Sequence, residues 1–288
     1  MNLLYRIAVR LISCIFFYCI ALLHSFGQNN NLIKENISKV LFKNNYFGFY
    51  LSPYIAHKGN PVRQSGAYSM SASNLPGIEL GANYFINFNK TYSLIVGAHA
   101  GFSGRNFELF ISKSDFTPNL QNDINFRGGI TKYNDLYLSV PLWVERRWIG
   151  KKNSTWDIDA GINVRFDPDE EIYRYGDASY GGLDVNGQFE PVLSMEGWAG
   201  NNLKPWLNYN VGGGYSFFLS NYNFLRINLI ANFSATKVVN FNYTIDVTGK
   251  PQSTGTYSAN LSYMGLSISY IFTGANRRLL KLYEKKAN

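Results

Sequence analysis

The chain has 288 residues, a formal net charge of +8 and an aromatic content of 16%, yet its mean hydropathy is only −0.15. No run after the N-terminal segment approaches the roughly 18 to 20 apolar residues of a membrane-spanning helix, so a helical membrane protein is excluded. Much of the positive charge sits in Arg6, Arg10 and a tail holding Arg277, Arg278, Lys281, Lys285 and Lys286, so the high pI makes no case for nucleic-acid binding.

Residues 1–27 have the make-up of a secretory signal: Arg6 and Arg10, an apolar run from Leu11 to Leu23, then Ser25-Phe26-Gly27 before Gln28. Both cysteines, Cys14 and Cys19, lie inside it, so the exported chain is expected to carry no disulfide and no thiol chemistry. Residues 28–45 place Ile33, Ile37, Val40 and Leu41 at helical spacing, which fits either a short amphipathic helix or an unstructured periplasmic leader.

From residue 46 the chain alternates with a period of two. The first predicted strand, 46–57, sets Phe47, Phe49, Leu51 and Ile55 against Tyr46, Gly48, Tyr50, Ser52 and Tyr54, with Pro53 hinting at a bulge. A polar connection, 58–75, leads to strand 77–88, where Ile78, Leu80, Ala82, Tyr84 and Ile86 oppose Glu79, Gly81, Asn83, Phe85 and Asn87. Asn89-Lys90 turns tightly into strand 92–107, whose polar face carries His99 and Arg105. Polar residues from about 112 to 131 follow.

The next stretch, Asp135 to Trp148, organises the whole pattern. Leu136, Leu138, Val140, Leu142 and Val144 face one way and Tyr137, Ser139, Pro141, Trp143, Glu145 and Arg147 the other. It closes on Glu145-Arg146-Arg147-Trp148, so charges and an interfacial aromatic arrive after about ten residues, the length of a tilted transmembrane strand. Strand 155–167 follows a short turn and puts Asp157, Asp159 and Arg165 on its polar face. A long acidic connection, about 168–203, is expected to form an extended hairpin or to cap a barrel mouth. Strand 204–219, a tight turn, strand 224–245 with Arg226 on its polar face, a loop near 246–256 and a last strand ending at Phe272 complete the pattern.

The connections alternate long and short, which is the asymmetry of an outer-membrane barrel with short periplasmic turns and long external loops. The predicted fold is therefore all-β, an antiparallel up-and-down transmembrane barrel of eight strands over 46–272, with a basic periplasmic tail over 273–288. The tail can lie as an amphipathic helix on the inner leaflet or be disordered. LYLSVPLWVERRW resembles the strand with a mid-strand proline in the outer-membrane β-barrel domain family of Bacteroidota, the porin-like and PorT-like proteins, and SFGQ resembles their cleavage sites. That resemblance implies the fold and the location, and carries over no catalytic residues.

By parity the inward charges are Glu79, Glu145, Asp157 and Asp159 against Arg105, Arg147, Arg165 and Arg226. Glu145, Arg147, Asp157, Asp159 and Arg226 fall near the short turns, and Glu79, Arg105 and Arg165 toward the long loops. Eight strands enclose a lumen that side chains just fill, so two ion-pair layers are expected to plug the tube. His57 and His99 are the histidines beyond the signal; a membrane hydrolase would need a Ser/His pair with a supporting polar group, and His99 reads instead as a hydrogen-bonded interior histidine. Asp167-Pro168-Asp169-Glu170-Glu171 could ligate Ca²⁺, but such acidic loops are usually only solvated. Gly212-Gly213-Gly214 opens no helix, so it reads as barrel curvature rather than a phosphate loop.

The expected function is a non-enzymatic structural or interaction protein. It would act in contact with outer-membrane lipids and with a surface or periplasmic protein partner, without cofactor or metal. A small-solute transporter is the alternative, ahead of a membrane-embedded hydrolase.

Overall fold

The computed structural model describes residues 45–74, 76–103, 106–128, 135–149, 154–166, 173–175, 179–199, 204–219 and 223–273. The expectations for the signal segment, for residues 28–44, for 167–171 and for the tail beyond 273 lie outside the described residues.

The described parts of the long connections supply further strands, which lie above the barrel strands they link. β1 (Tyr46–Ala56) leads out to β2 (Asn60–Ser65), and β3 (Ser71–Ser73) leads back into β4 (Pro76–Asn87). β5 (Tyr92–Ser103) continues as β6 (Asn106–Ile111), and β7 (Ile124–Gly128) returns to β8 (Asp135–Ile149). β9 (Ser154–Phe166) is followed by β10 (Tyr173–Tyr175), β11 (Ser179–Leu183) and β12 (Phe189–Ala199), which feeds β13 (Trp206–Phe218). Finally β14 (Phe224–Ser234) continues as β15 (Lys237–Ile245), and β16 (Ser253–Asn260) descends into β17 (Tyr263–Phe272).

The lower strands close on themselves in the order β1-β17-β14-β13-β9-β8-β5-β4, all antiparallel, so neighbours in the barrel are neighbours in the chain. The fold is the eight-stranded up-and-down barrel that the alternation predicts. Closure brings the first and last strands together, with Phe47 opposite Phe272 and Ala56 opposite Tyr263. Both ends of the barrel segment thus lie beside the short turns.

Above the barrel the same strand order splits into two sheets, β10-β12-β15-β16-β2 with β11 beside β12, and β3-β6-β7. Between them lies an apolar core that includes Phe107, Leu109, Ile111, Leu193, Met195, Phe241, Tyr243, Ile245 and Tyr257. The barrel is thus drawn out into a small two-sheet cap. The polarity is opposite in the two parts. In the barrel the apolar residues face out, with Leu229 71% and Met264 69% exposed, and the polar ones are buried.

Several expectations need correction. Pro53 makes no bulge: the ladder to β17 lapses at Ser52 and Pro53 and resumes in the same register, Leu51 facing Ile268 and Tyr54 facing Gly265. The proline forfeits a hydrogen bond without inserting a residue. The strand expected over 92–107 ends in the barrel at Ser103, and Asn106–Ile111 pairs with β3 and β7 instead. The strand expected over 224–245 is two strands in two sheets, divided at Ala235–Thr236. The polar connections 58–75, 112–131 and 246–256 contain or border β2, β3, β7 and β16. The acidic connection 168–203 supplies the hairpin of β11 and β12, as its length requires.

Candidate functional site in the lumen

The chemistry of this protein is concentrated inside the barrel, where pleating aims the even residues of β1 and β14 and the odd residues of β5, β8 and β9 inward. Register then decides which of them meet. Pairing of β8 with β9 puts Glu145 opposite Asp159 and Arg147 opposite Asp157, and pairing of β13 with β14 puts Arg226 opposite Ser216. These residues form the layer near the short turns.

In that layer Arg147 Nε lies 2.7 Å from Glu145 Oε1, and the Ser93 hydroxyl donates to Glu145 Oε2 at 2.9 Å. Arg147 also donates to Asn87 Oδ1. Arg226 bridges two carboxylates, at 2.5 Å from Asp157 Oδ1 and 2.8 Å from Asp159 Oδ2. Asn210 and Asn228 donate to Asp159 at 3.1 and 2.9 Å. Two arginines thus face three carboxylates that are all but removed from solvent. A cavity of about 20 Å³ bordered by Tyr46, Phe85, Glu145, Arg147, Phe224 and Arg226 has room for roughly one water.

The second layer, nearer the cap, is built on Glu79. Arg165 Nη2 lies 3.0 Å from Glu79 Oε2, and the hydroxyls of Tyr137 and Tyr263 donate to the same oxygen at 2.7 and 3.0 Å. His99 Nδ1 donates to Glu79 Oε1 at 2.8 Å, while its Nε2 lies 2.9 Å from Asn83 Oδ1. The His99 ring stacks on Tyr50 with centroids 4.2 Å apart, and the Arg165 guanidinium lies 4.3 Å from the Tyr137 ring centre. An isolated carboxylate or guanidinium here would cost several kcal/mol; four hydrogen-bond donors around one carboxylate offset that cost.

Room for these large groups comes from glycines across the register. A Cβ on Gly101 would sit 2.1 Å from the Tyr137 ring, and one on Gly214 would sit 1.7 Å from Asn228 Oδ1. In the run Gly212-Gly213-Gly214, Gly212 and Gly214 thus leave room for the Asp159 and Asn228 side chains, whereas a Cβ on Gly213 would meet only ordinary contacts at 3.5 Å or more.

A third layer of Tyr54, Tyr137, Trp206, Ile230, Leu261 and Tyr263 closes the barrel beneath the cap. The Tyr54 hydroxyl donates to the Phe102 carbonyl at 3.1 Å, and its ring stacks on Tyr263 with centroids 4.1 Å apart.

The structure brings Glu79 and Arg165 together in one layer, and Glu145, Arg147, Asp157, Asp159 and Arg226 in the other; Arg105 lies outside the described residues. Tyr54, Tyr137, Tyr263, His99 and Asn83 belong to the network as well. A count of inward charges passes over them, although their inward parity is readable in the sequence. His99 is an interior hydrogen-bonded histidine. His57 is exposed at the rim, where Nδ1 lies 2.8 Å from the Lys58 carbonyl oxygen. Among the described residues no group of His, Cys, Asp and Glu is arranged to hold a metal ion.

No family model matches the chain, and no curated protein matches it. Among solved structures it is similar to the outer membrane protein OprG from Pseudomonas aeruginosa, at 9% identity over 80% of this chain and 96% of that one, with a TM-score of 0.37. It is also similar to the outer membrane protein AlkL, at 13% identity over 80% of this chain and 90% of that one, with a TM-score of 0.33. Neisserial surface protein A gives 10% identity over 77% of this chain and 96% of that one, with a TM-score of 0.27. Similarities this distant assign neither a family nor a function.

Proposed function

We propose that this protein is an outer-membrane barrel with a closed lumen, a structural or interaction protein that presents its cap outside the cell and keeps both chain ends in the periplasm. The observation that carries this reading is the filled interior: two ion-paired layers, then the aromatic layer of Tyr54, Trp206 and Tyr263, then the apolar core of the cap. An apolar exterior over a polar interior suits a wall in contact with hydrocarbon. A solute would have to displace buried ion pairs to pass, which disfavours the transport alternative.

The β11–β12 hairpin supports an interaction role, because Leu183, Val185 and Phe189 are exposed around its tip, away from the barrel wall. Apolar surface of that kind accompanies partner binding. Gly187, at the tip with φ +79°, has open space for 4 Å around the position a Cβ would take, so a tag inserted after it, with the glycine kept, meets no neighbour. A tag inserted there should be stained on intact cells, and staining only after permeabilisation would invert the orientation. Purified protein in planar bilayers should give no steady conductance; a reproducible large current would replace the closed-lumen reading with transport.

A further inference from the structure

On the outer wall, the described side chains include one cation with no carboxylate partner, Arg146. Among the described side chains of the eight barrel strands, every other charged residue, Glu79, Glu145, Arg147, Asp157, Asp159, Arg165 and Arg226, is buried inward, whereas Arg146 is exposed on the outer face. It stands near the turn end of β8, opposite Tyr92 on one side and Ile158 on the other. Its guanidinium carbon lies 4.9 Å from the Trp148 ring centre and 5.9 Å from that of Tyr92. Two aromatic rings hold the cation while no carboxylate among the described residues pairs with it.

An exposed arginine in an apolar wall needs a counter-charge from its surroundings. Trp and Tyr sit preferentially at the level of lipid headgroups, so the flanking rings set the height of Arg146 at that level. The planar fork of a guanidinium matches phosphate oxygens in a bidentate way, and stacking on aromatic faces fixes the fork without consuming its donors. Lys90, exposed in the adjoining turn, adds positive charge at the same end.

We infer that Arg146, held between Tyr92 and Trp148, is a binding site for the phosphate of a glycerophospholipid in the leaflet that borders the short turns. The site rests on the membrane reading above and adds to it a specific ligand chemistry. The group recognised is the phosphodiester; the acyl chains lie along the neighbouring apolar residues.

The test is native mass spectrometry of the full-length mature barrel released from micelles doped with phosphatidylglycerol or with diacylglycerol of the same chains. Wild type should retain phosphatidylglycerol over diacylglycerol, Arg146→Gln should retain it about tenfold less, and Arg146→Lys should fall between them. Millimolar inorganic phosphate should not displace the lipid. Equal retention of the two lipids by wild type overturns the site even if Arg146→Gln does not fold, and so does a lysine variant no better than glutamine. Displacement by inorganic phosphate would overturn the lipid as the source of the phosphate. Extraction of wild type into buffer without detergent would overturn the membrane reading itself, an outcome distinct from loss of the site alone.

Discussion

The barrel and the cap are built from the same strands and the same alternation, yet they turn opposite faces to their centres. β14 and β15 show this within one stretch of chain. The odd residues Leu225, Ile227, Leu229, Ala231 and Phe233 face out of the barrel, while the odd residues Val239, Phe241, Tyr243 and Ile245 face into the cap core. The reversal happens at Ala235 to Lys237, beside a register shift at which Val238 and Val239 are both buried. β5 and β6 change differently: the odd face stays inward throughout, but its chemistry goes from Ser93 and His99 to Phe107, Leu109 and Ile111. The inversion is what the proposed membrane location requires, since a wall bathed in hydrocarbon buries its polar side and a cap bathed in water buries its apolar side.

Substitutions on each of the four faces would break or sharpen that contrast. The largest effect is expected inside the barrel, where Glu79→Ala leaves Arg165 without its carboxylate and should destabilise the folded barrel by about 3–5 kcal/mol. Denaturant unfolding in lipid vesicles measures it, and a loss under about 1 kcal/mol would mean that the layer does not hold the barrel together. Arg147→Leu should act in the same direction by stripping Glu145 of its ion pair.

On the outer face of the barrel, Leu229→Arg should cost about 2–4 kcal/mol in the same assay, the range for a cation facing mid-bilayer lipid. A neutral result would place Leu229 in water and contradict the wall's assignment. In the cap core, Ile245→Val removes one methyl from a fully buried side chain and should cost about 0.5–1.5 kcal/mol. Its effect should be read by hydrogen exchange of β15 and β16, with the amides of the barrel strands unchanged; equal loss of protection in both would show one cooperative unit instead of two. The smallest effect belongs to the outer face of the cap, where Asn242 is exposed: Asn242→Leu should stay within about 0.5 kcal/mol. The pair Leu229 and Asn242 then states the inversion directly, because an outward polar residue is tolerated in one sheet and an outward apolar residue is required in the other.

The alternation of Phe47 through Tyr54, of Ile78 through Asn87 and of Leu136 through Arg147 was sufficient to define the barrel strands, because a period of two with one apolar face has few other uses over that length. Parity likewise placed Glu79, Glu145, Arg147, Asp157, Asp159, Arg165 and Arg226 on the inward face. Which charge meets which was not legible, since that depends on register across strands far apart in the chain. Arg165 and Tyr263 reach Glu79 from strands separated from it by 86 and 184 residues. Nor could alternation reveal the cap. A strand that runs on past the barrel wall keeps its period of two, and only the packing of Phe107, Phe241 and Tyr257 against one another decides that the same pattern now points inward. By itself the sequence determined the period, and hence the strands and their two faces; the tertiary structure decided which face is the interior, because burial depends on what each sheet is packed against and on the solvent beyond it.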